Sequence, residues 1–247
     1  MTGYDRDRFG QAWLDADRNG CDTRNDMLRR DLQAITLKAD TNGCVVLTGV
    51  LADPYTRMRI DFVRGESYSV DIDHVVALGN AWASGAWKLD INSRAALAND
   101  PLNLLAVDAG ANRSKSDSNA ASWLPPNKAY RCAYVARQIA VKAKYHLAVT
   151  TSEEAQMARQ LVTCPGQPVT RDVTHAPTRV DQNLTDPGVP TQTSGAMTSR
   201  GSSSSGGGTV YYQNCDAART AGAAPVHRGD PGYGAHLDRD GDGTGCE

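Results

Sequence analysis

Alternation and periodicity divide residues 1–164 into short elements. The segment DTRNDMLRRDL (22–32) has helical spacing, whereas CVVLTGVLA (44–52) and RMRIDFV (57–63) are β-rich runs separated by the turn signal DPYT. These two runs predict a hairpin. SVDIDHVVAL (69–78) predicts another strand, and NLLAVD (103–108) a further short one after an irregular stretch with two tryptophans. Asn112 reads as a helix start. The clearest helix spans Lys128 to Leu147, where Cys132, Val135, Ala136, Ile139, Ala140, Ala143 and Leu147 share one face, with Arg137 and Lys144 opposite. Thr151 followed by Glu154 is a capping-box pattern that opens a last helix to about Thr163.

Periodicity then stops. Residues 165–208 carry no apolar repeat and end in a Ser/Gly tract, the composition of a flexible linker. The predicted organisation is a main domain over 1–164, a linker over 165–208 and a tail domain over 209–247.

The formal net charge of −2 gives no global sign of a nucleic-acid binder, so local distribution has to decide. From Asn112 to Leu147 seven Lys/Arg (113, 115, 128, 131, 137, 142, 144) face one acid, Asp117, a basic surface able to follow a phosphate backbone. The alternative is an ordinary solvated helix face. Six cysteines, at 21, 44, 132, 164, 215 and 246, include no CxxC pair and read as three disulfides. Chain order favours 21 with 44, 132 with 164 and 215 with 246, although sequence alone does not choose among the pairings. Antiparallel packing of the last two helices of the main domain supports the middle pair. Disulfides imply an oxidising compartment, reduced thiols in a cytoplasmic protein being the other reading. No apolar run is long enough to span a bilayer, and MTGYDRDRFG lacks the basic start and apolar segment of a signal peptide. Export is thus inferred from the cysteines, with the N-terminus expected downstream of a removed leader.

The chemistry concentrates in the two short strands and the helix after them. Asp73, His74, Asn103 and Asn112 present a carboxylate, an imidazole and two amides, a set suited to phosphodiester hydrolysis. A divalent cation on Asp73 and Asn112 would bind the phosphate, and His74 would deprotonate the attacking water. Asn103 would orient the ring or its loop. Read singly, each residue has a plainer role: His74 a buried core histidine, Asp73 a surface carboxylate aligned with Asp71, Asn112 a helix cap. Alternation also sends Asp73 and His74 to opposite faces of a regular strand.

DIDHVVAL, NDPLNLLAVD and ANRSKSD resemble the three blocks of HNH endonucleases, and the similarity to GmrSD C-terminal-type HNH proteins covers nearly all of residues 4–164. The resemblance implies an α+β fold with a ββα-metal (His-Me finger) core, added helices and a hairpin. It makes Asp73 the metal-binding acid, His74 the general base, Asn103 the middle asparagine, Asn112 the second metal ligand and Lys115 a lysine near the phosphate. With asparagine in the last position, Mg2+ or Mn2+ is implied.

The tail ends in DRDGDGTGCE, with acids at alternate positions as a hard cation requires, but no glutamate at the twelfth place of an EF-hand loop. Residues 211–247 instead resemble the Excalibur (extracellular calcium-binding region) domain. This implies Ca2+ on Asp238, Asp240, Asp242 and Glu247, a backbone carbonyl near Thr244 and a Cys215–Cys246 bridge, in a small disulfide-stapled unit.

The expected protein is a secreted or cell-surface, monomeric, metal-dependent HNH endonuclease that cuts DNA, and RNA as a second substrate, with low sequence specificity. The alternatives are a calcium-dependent cell-envelope binding protein on an inactive HNH scaffold, and a sequence-specific restriction or toxin nuclease.

Overall fold

The computed structural model describes residues 3–66, 69–187, 212, 215–220, 222–233, 237 and 244–246. The chain divides into two units, Met1–Thr191 and Gln192–Glu247.

In the first unit a short 3-10 turn, Arg6–Phe9, buries Phe9 and is capped by the Asp5 carboxylate. The loop that follows is closed by Asp15, which accepts from the backbone N–H of Asn19 and Gly20 at 3.0 and 2.9 Å. Helix α1 (Thr23–Asp31) starts where Asp22 accepts from Asn25 N, the N-cap that an exposed first turn needs. A three-stranded antiparallel meander comes next, β1 (Leu32–Leu37), β2 (Val46–Ala52) and β3 (Arg59–Val63). The predicted hairpin is β2–β3. Strand β1 was hidden because its burial is irregular and its register against β2 shifts twice.

Strands β4 (Val70–His74) and β5 (Leu104–Asp108) form a separate antiparallel pair, with Asp73 opposite Leu105 and His74 opposite Leu104. Between them lie α2 (Leu78–Ala83) and α3 (Ile91–Ala98), in the stretch that looked irregular. Helix α4 (Ala109–Lys115) directly follows β5. Its cap is Asp108, whose side chain accepts from Ala111 N, so Asn112 sits inside the helix rather than at its start. The result is α+β: a strand pair and a helix, flanked by a small sheet and further helices.

Helices α5 (Arg131–Lys144) and α6 (Thr151–Val162) cover the other side. The buried face of α5 only partly matches the predicted one: Val135 and Ala136 are inside as expected, as is Leu147 just after the helix, but Tyr134, Gln138, Val141 and Lys142 are inside with them and Ile139 is exposed. Apolar periodicity missed this because polar groups on that face find partners. Gln138 donates to Val75 O at 2.9 Å, and Lys142 lies 2.7 Å from a carboxylate oxygen of buried Glu153. The α6 cap is Thr150, accepting from Glu153 N, one residue before the predicted box.

The first unit does not end at Cys164. Residues after it run back along the body as a strap: Val180 is buried at 3% exposure, Asp172 pairs with Lys144 at 2.6 Å, and Asp186 pairs with the buried Arg94. The expected linker is thus anchored through at least Asp186; its charged and proline-rich composition hid this because a few point contacts, not a repeat, hold it. The rest of the predicted linker, 188–208, lies outside the described residues.

In the second unit α7 (Cys215–Thr220) and an antiparallel bridge of β6 (Val226–His227) with β7 (Thr244–Gly245) surround a core of Ala218, Val226, Leu237 and Cys246. The three disulfides are Cys21–Cys44, Cys132–Cys164 and Cys215–Cys246, as chain order favoured. Among the described residues no helix is long and apolar enough to cross a membrane.

Candidate active site

The β4–β5 pair holds its catalytic candidates by simple alternation. Asp73 shares a face with Leu105 and Val107 and packs toward Tyr55, Tyr134 and α4, whereas His74 lies with Ile72 and Leu104 on the other. Both nonetheless line one cavity of about 290 Å³, together with Asp71, Asn112, Asp117, Tyr4, Arg6, Trp13 and Arg24. The apparent conflict in the sequence disappears because His74 is the last residue of β4, where the chain leaves the sheet.

His74 is buried at 8% exposure, and its Nε2 lies 2.9 Å from the carbonyl oxygen of Ala98. A carbonyl only accepts, so Nε2 carries the proton and Nδ1 is left as the basic atom. Trp13 stacks on the imidazole, ring centroids 6.2 Å apart. Burial, and then the charges of Arg6 and Lys115, push the His74 pKa down to about 3, against which the Ala98 bond acts only partly. The ring is neutral at physiological pH. The plain reading of a hydrogen-bonded buried histidine is therefore accurate as far as it goes, yet this histidine also borders a second, smaller cavity on the side of Phe9, Gly10 and Asn99.

Asp73 is not a surface carboxylate. At 4% exposure, it accepts from Lys115 Nζ at 2.9 Å through Oδ1 and from Tyr55 Oη at 2.5 Å through Oδ2. Burial raises its pKa and outweighs the opposing pull of Lys115 and Tyr55. Lys115 itself is fully buried and also donates to the His74 carbonyl at 2.8 Å. Its ammonium is turned inward, toward the Asp73 carboxylate and the His74 carbonyl, and its charge offsets that of the buried acid.

Asn103, also fully buried, accepts from Val76 N at 2.8 Å and donates to the carbonyls of Val76 and Leu97 at 3.3 Å. It ties the chain leaving β4 to the end of α3, one residue from the carbonyl that holds His74. Its position is that of a loop clamp; it makes no contact with the cavity. Asn112 is half-buried and donates to Asp71 Oδ2 at 3.1 Å.

Among the described residues no three His, Cys, Asp or Glu side chains gather as a ready metal cage. The donor set is nevertheless one of hard oxygens. Asp73 uses two of its four acceptor sites, and the Asn112 amide oxygen and the Asp71 carboxylate lie along the same wall. That suits a small divalent ion that retains several waters. Asp117 closes the cavity by accepting from Gly79 N at 3.1 Å, an approach that a Cβ at Gly79, 2.5 Å from the carboxylate, would block.

The predicted basic surface does not exist as such. Arg137 donates to the carbonyls of Pro101, Leu102 and Leu104, Arg131 to Pro125 O, Lys142 pairs with Glu153 and Lys144 with Asp100 and Asp172. Helix ends and loop turns leave carbonyls to satisfy, and the two arginines satisfy them, whereas the two lysines meet carboxylates. Of the seven, Arg113 and Lys128 remain exposed. The residues that sequence reasoning did not name for the site are Arg6, Trp13, Arg24, Tyr55 and Asp71; the resemblance spans them, but no motif singles them out. The calcium candidates Asp238, Asp240, Asp242 and Glu247 lie outside the described residues.

A nuclease-type domain and a small calcium-binding module are what the comparisons find in this order along the chain. The family model "GmrSD restriction endonucleases, C-terminal domain" matches residues 22–160, and the "Excalibur calcium-binding domain" matches 212–247. The chain belongs to the GmrSD C-terminal domain family, and its second unit carries the Excalibur domain. An "Uncharacterized secreted protein" of Arthroderma benhamiae is 38% identical over 167 residues, covering 66% of this chain and 77% of its own. No solved structure matches.

Proposed function

We propose that this protein is an extracellular, metal-dependent endonuclease of HNH type that hydrolyses DNA phosphodiester bonds with low sequence specificity. The observation that carries the reading is His74, neutral, with Nε2 bound to Ala98 O and Nδ1 free, bordering the same cavity as Asp71, Asp73 and Asn112. Nδ1 accepts the proton of the attacking water. The anionic substrate strengthens the base as it binds, since its charge opposes those of Arg6 and Lys115 that hold the imidazolium off. Ala98 O and Asn103 fix the ring and its loop, and Lys115 with Tyr55 fixes the Asp73 carboxylate. Asp73 and Asn112 would hold Mg2+ or Mn2+, which when bound neutralises the scissile phosphate and stabilises the departing 3′ oxygen.

The sequence carries no recognition-helix motif with base-reading side chains, which supports weak sequence preference. Three disulfides, the Excalibur domain and the name of the Arthroderma relative support an extracellular site of action, with Ca2+ on Asp238, Asp240, Asp242 and Glu247. The test is plasmid cleavage by the disulfide-intact protein with Mg2+, Mn2+, Ca2+ or EDTA, wild type against His74→Ala. The expected result is Mg2+- or Mn2+-dependent nicking that the substitution abolishes, ending as a smear on prolonged digestion. No cleavage with any metal, or cleavage indifferent to His74, overturns it in favour of a cell-envelope binding protein on an HNH scaffold.

A further inference from the structure

A nuclease cavity needs a cation facing the phosphate, and Lys115 is not available for it. The positively charged side chains lining the cavity are Arg6 and Arg24. Arg6 is exposed and Arg24 half-buried, and among the described residues the guanidinium of neither makes a hydrogen bond or an ion pair. That separates them from Arg30, Arg94, Arg137, Lys142 and Lys144, whose charged ends are bound to carbonyls or carboxylates of the protein itself.

Both are held on rigid supports. Arg6 opens the 3-10 turn that Asp5 caps and Phe9 anchors, Phe9 packing in the core with Trp82 and Ala95. Arg24 is the second residue of α1, three residues from the Cys21–Cys44 bridge, and its neighbour Arg64 is drawn inward to Val46 O and Asn25. Trp13, from the same N-terminal segment as Arg6, stacks on His74 and lines the same cavity.

We propose that Arg6 and Arg24 are the phosphate clamp of this cavity, gripping the non-bridging oxygens of the bound phosphodiester, and that residues 3–20 form a working wall of the active site. Arg6 and Trp13 lie before residue 22, where the family match begins. A guanidinium supplies a planar fork of donors that matches two phosphate oxygens, which a lysine cannot reproduce. This inference rests on the nuclease reading, so its test separates binding from cleavage.

Full-length disulfide-intact protein carrying His74→Ala binds a short DNA duplex without cutting it; affinity is measured from low to moderate salt for that background and with Arg6→Gln, Arg24→Gln or both added. The same arginine substitutions are made in the otherwise wild-type chain and their kcat/KM measured, with Lys38→Gln, exposed after β1, as an equal change of charge elsewhere. Each arginine substitution is expected to weaken binding by about 10-fold or more and to reduce the slope of log K against log salt by about one. In the active chain each lowers kcat/KM by about 10- to 100-fold, Arg6→Lys recovers part of the loss, and Lys38→Gln changes neither quantity. Cleavage by wild type with binding and salt slope unmoved by Arg6→Gln and Arg24→Gln overturns the clamp and leaves the nuclease standing. A wild type that never cleaves overturns both.

Discussion

Replacing Lys115 by Met tests whether this lysine supports the site from inside. The side chain is nearly isosteric, so packing in α4 is kept and the change is loss of the ammonium. Asp73 then stays buried, at 5% side-chain exposure, with Tyr55 as its remaining hydrogen-bond partner. Breaking a buried ion pair from one side typically costs about 3–5 kcal/mol. The lower end applies, because burial already raises the Asp73 pKa and the loss of Lys115 lets the carboxyl take a proton, which limits the penalty. A cost of about 3 kcal/mol lowers the melting temperature of a unit this size by roughly 6–12 °C. All four tryptophans (13, 82, 87 and 123) lie in the first unit, so tryptophan fluorescence during thermal or urea unfolding reports that unit alone. The measurement is made in EDTA, so that no cation compensates for the missing ammonium. Adding Asp73→Asn to Lys115→Met removes the orphaned charge and is expected to recover at least half of the loss. A Lys115→Met protein within about 1 kcal/mol of wild type, yet impaired in DNA binding, would falsify the structural role and restore the lysine to the phosphate.

Other consequences are as direct. Asn103→Ala leaves Val76 N unsatisfied and frees the loop behind His74; stability should fall by about 1–3 kcal/mol and cleavage should drop while DNA affinity is held, measured by urea unfolding, turnover and binding. Gly79→Ala drives its Cβ into Asp117, and a helix-favouring substitution should therefore destabilise rather than stabilise, a sign that calorimetry reads at once. The strap depends on carboxylates. Burial would raise Asp172, but the bonds from Lys144 and Thr174 outweigh it and hold its pKa below the ordinary value, and Ser93 and Arg179 do the same for Asp90. A depressed carboxylate contributes stability that is fully present above the unfolded pKa, about 3.9, and lost as pH falls through the folded one. Hydrogen exchange over 170–186 should thus show protection at neutral pH that starts to fall near pH 4 and is lost as the pH drops through the lower folded pKa values, before the core opens; protection that is equal at neutral and at the lowest pH would remove the ion pairs from the account. Reduction with chelation should unfold the second unit, whose described core is four residues around Cys215–Cys246; circular dichroism unchanged after both treatments counts against a stapled, calcium-dependent unit.

The sequence carried what is local. Alternation located β2, β3, β4 and β5, and even the opposed faces of Asp73 and His74 were readable from the strand period. Three resembling blocks brought Asp73, His74, Asn103 and Asn112 together before any coordinate did. What was not legible is whatever depends on a partner far along the chain. The resemblance placed Lys115 near the phosphate but could not show its bond to Asp73, 42 residues away, and Arg137 looked like a solvent-facing charge because its carbonyls lie some 35 residues upstream. The strap fell to the same cause: Asp172, Val180 and Asp186 bear no pattern of their own, and their partners Lys144, Asn92 and Arg94 are scattered. Buried polar residues on α5 misled the face assignment because hydrophobicity scores a lysine without knowing that a glutamate waits for it.

The disulfides span 23, 32 and 31 residues and neither overlap nor enclose one another. A chain emerging N-terminus first therefore presents its cysteines as successive couples, and each can close before the next pair is exposed to the oxidant. Cross-pairing would require a thiol to wait while an adjacent partner stood free. Such a layout makes correct oxidation a matter of chain order, with little call on an isomerase, and each loop hardens its own part of the molecule as soon as it is delivered.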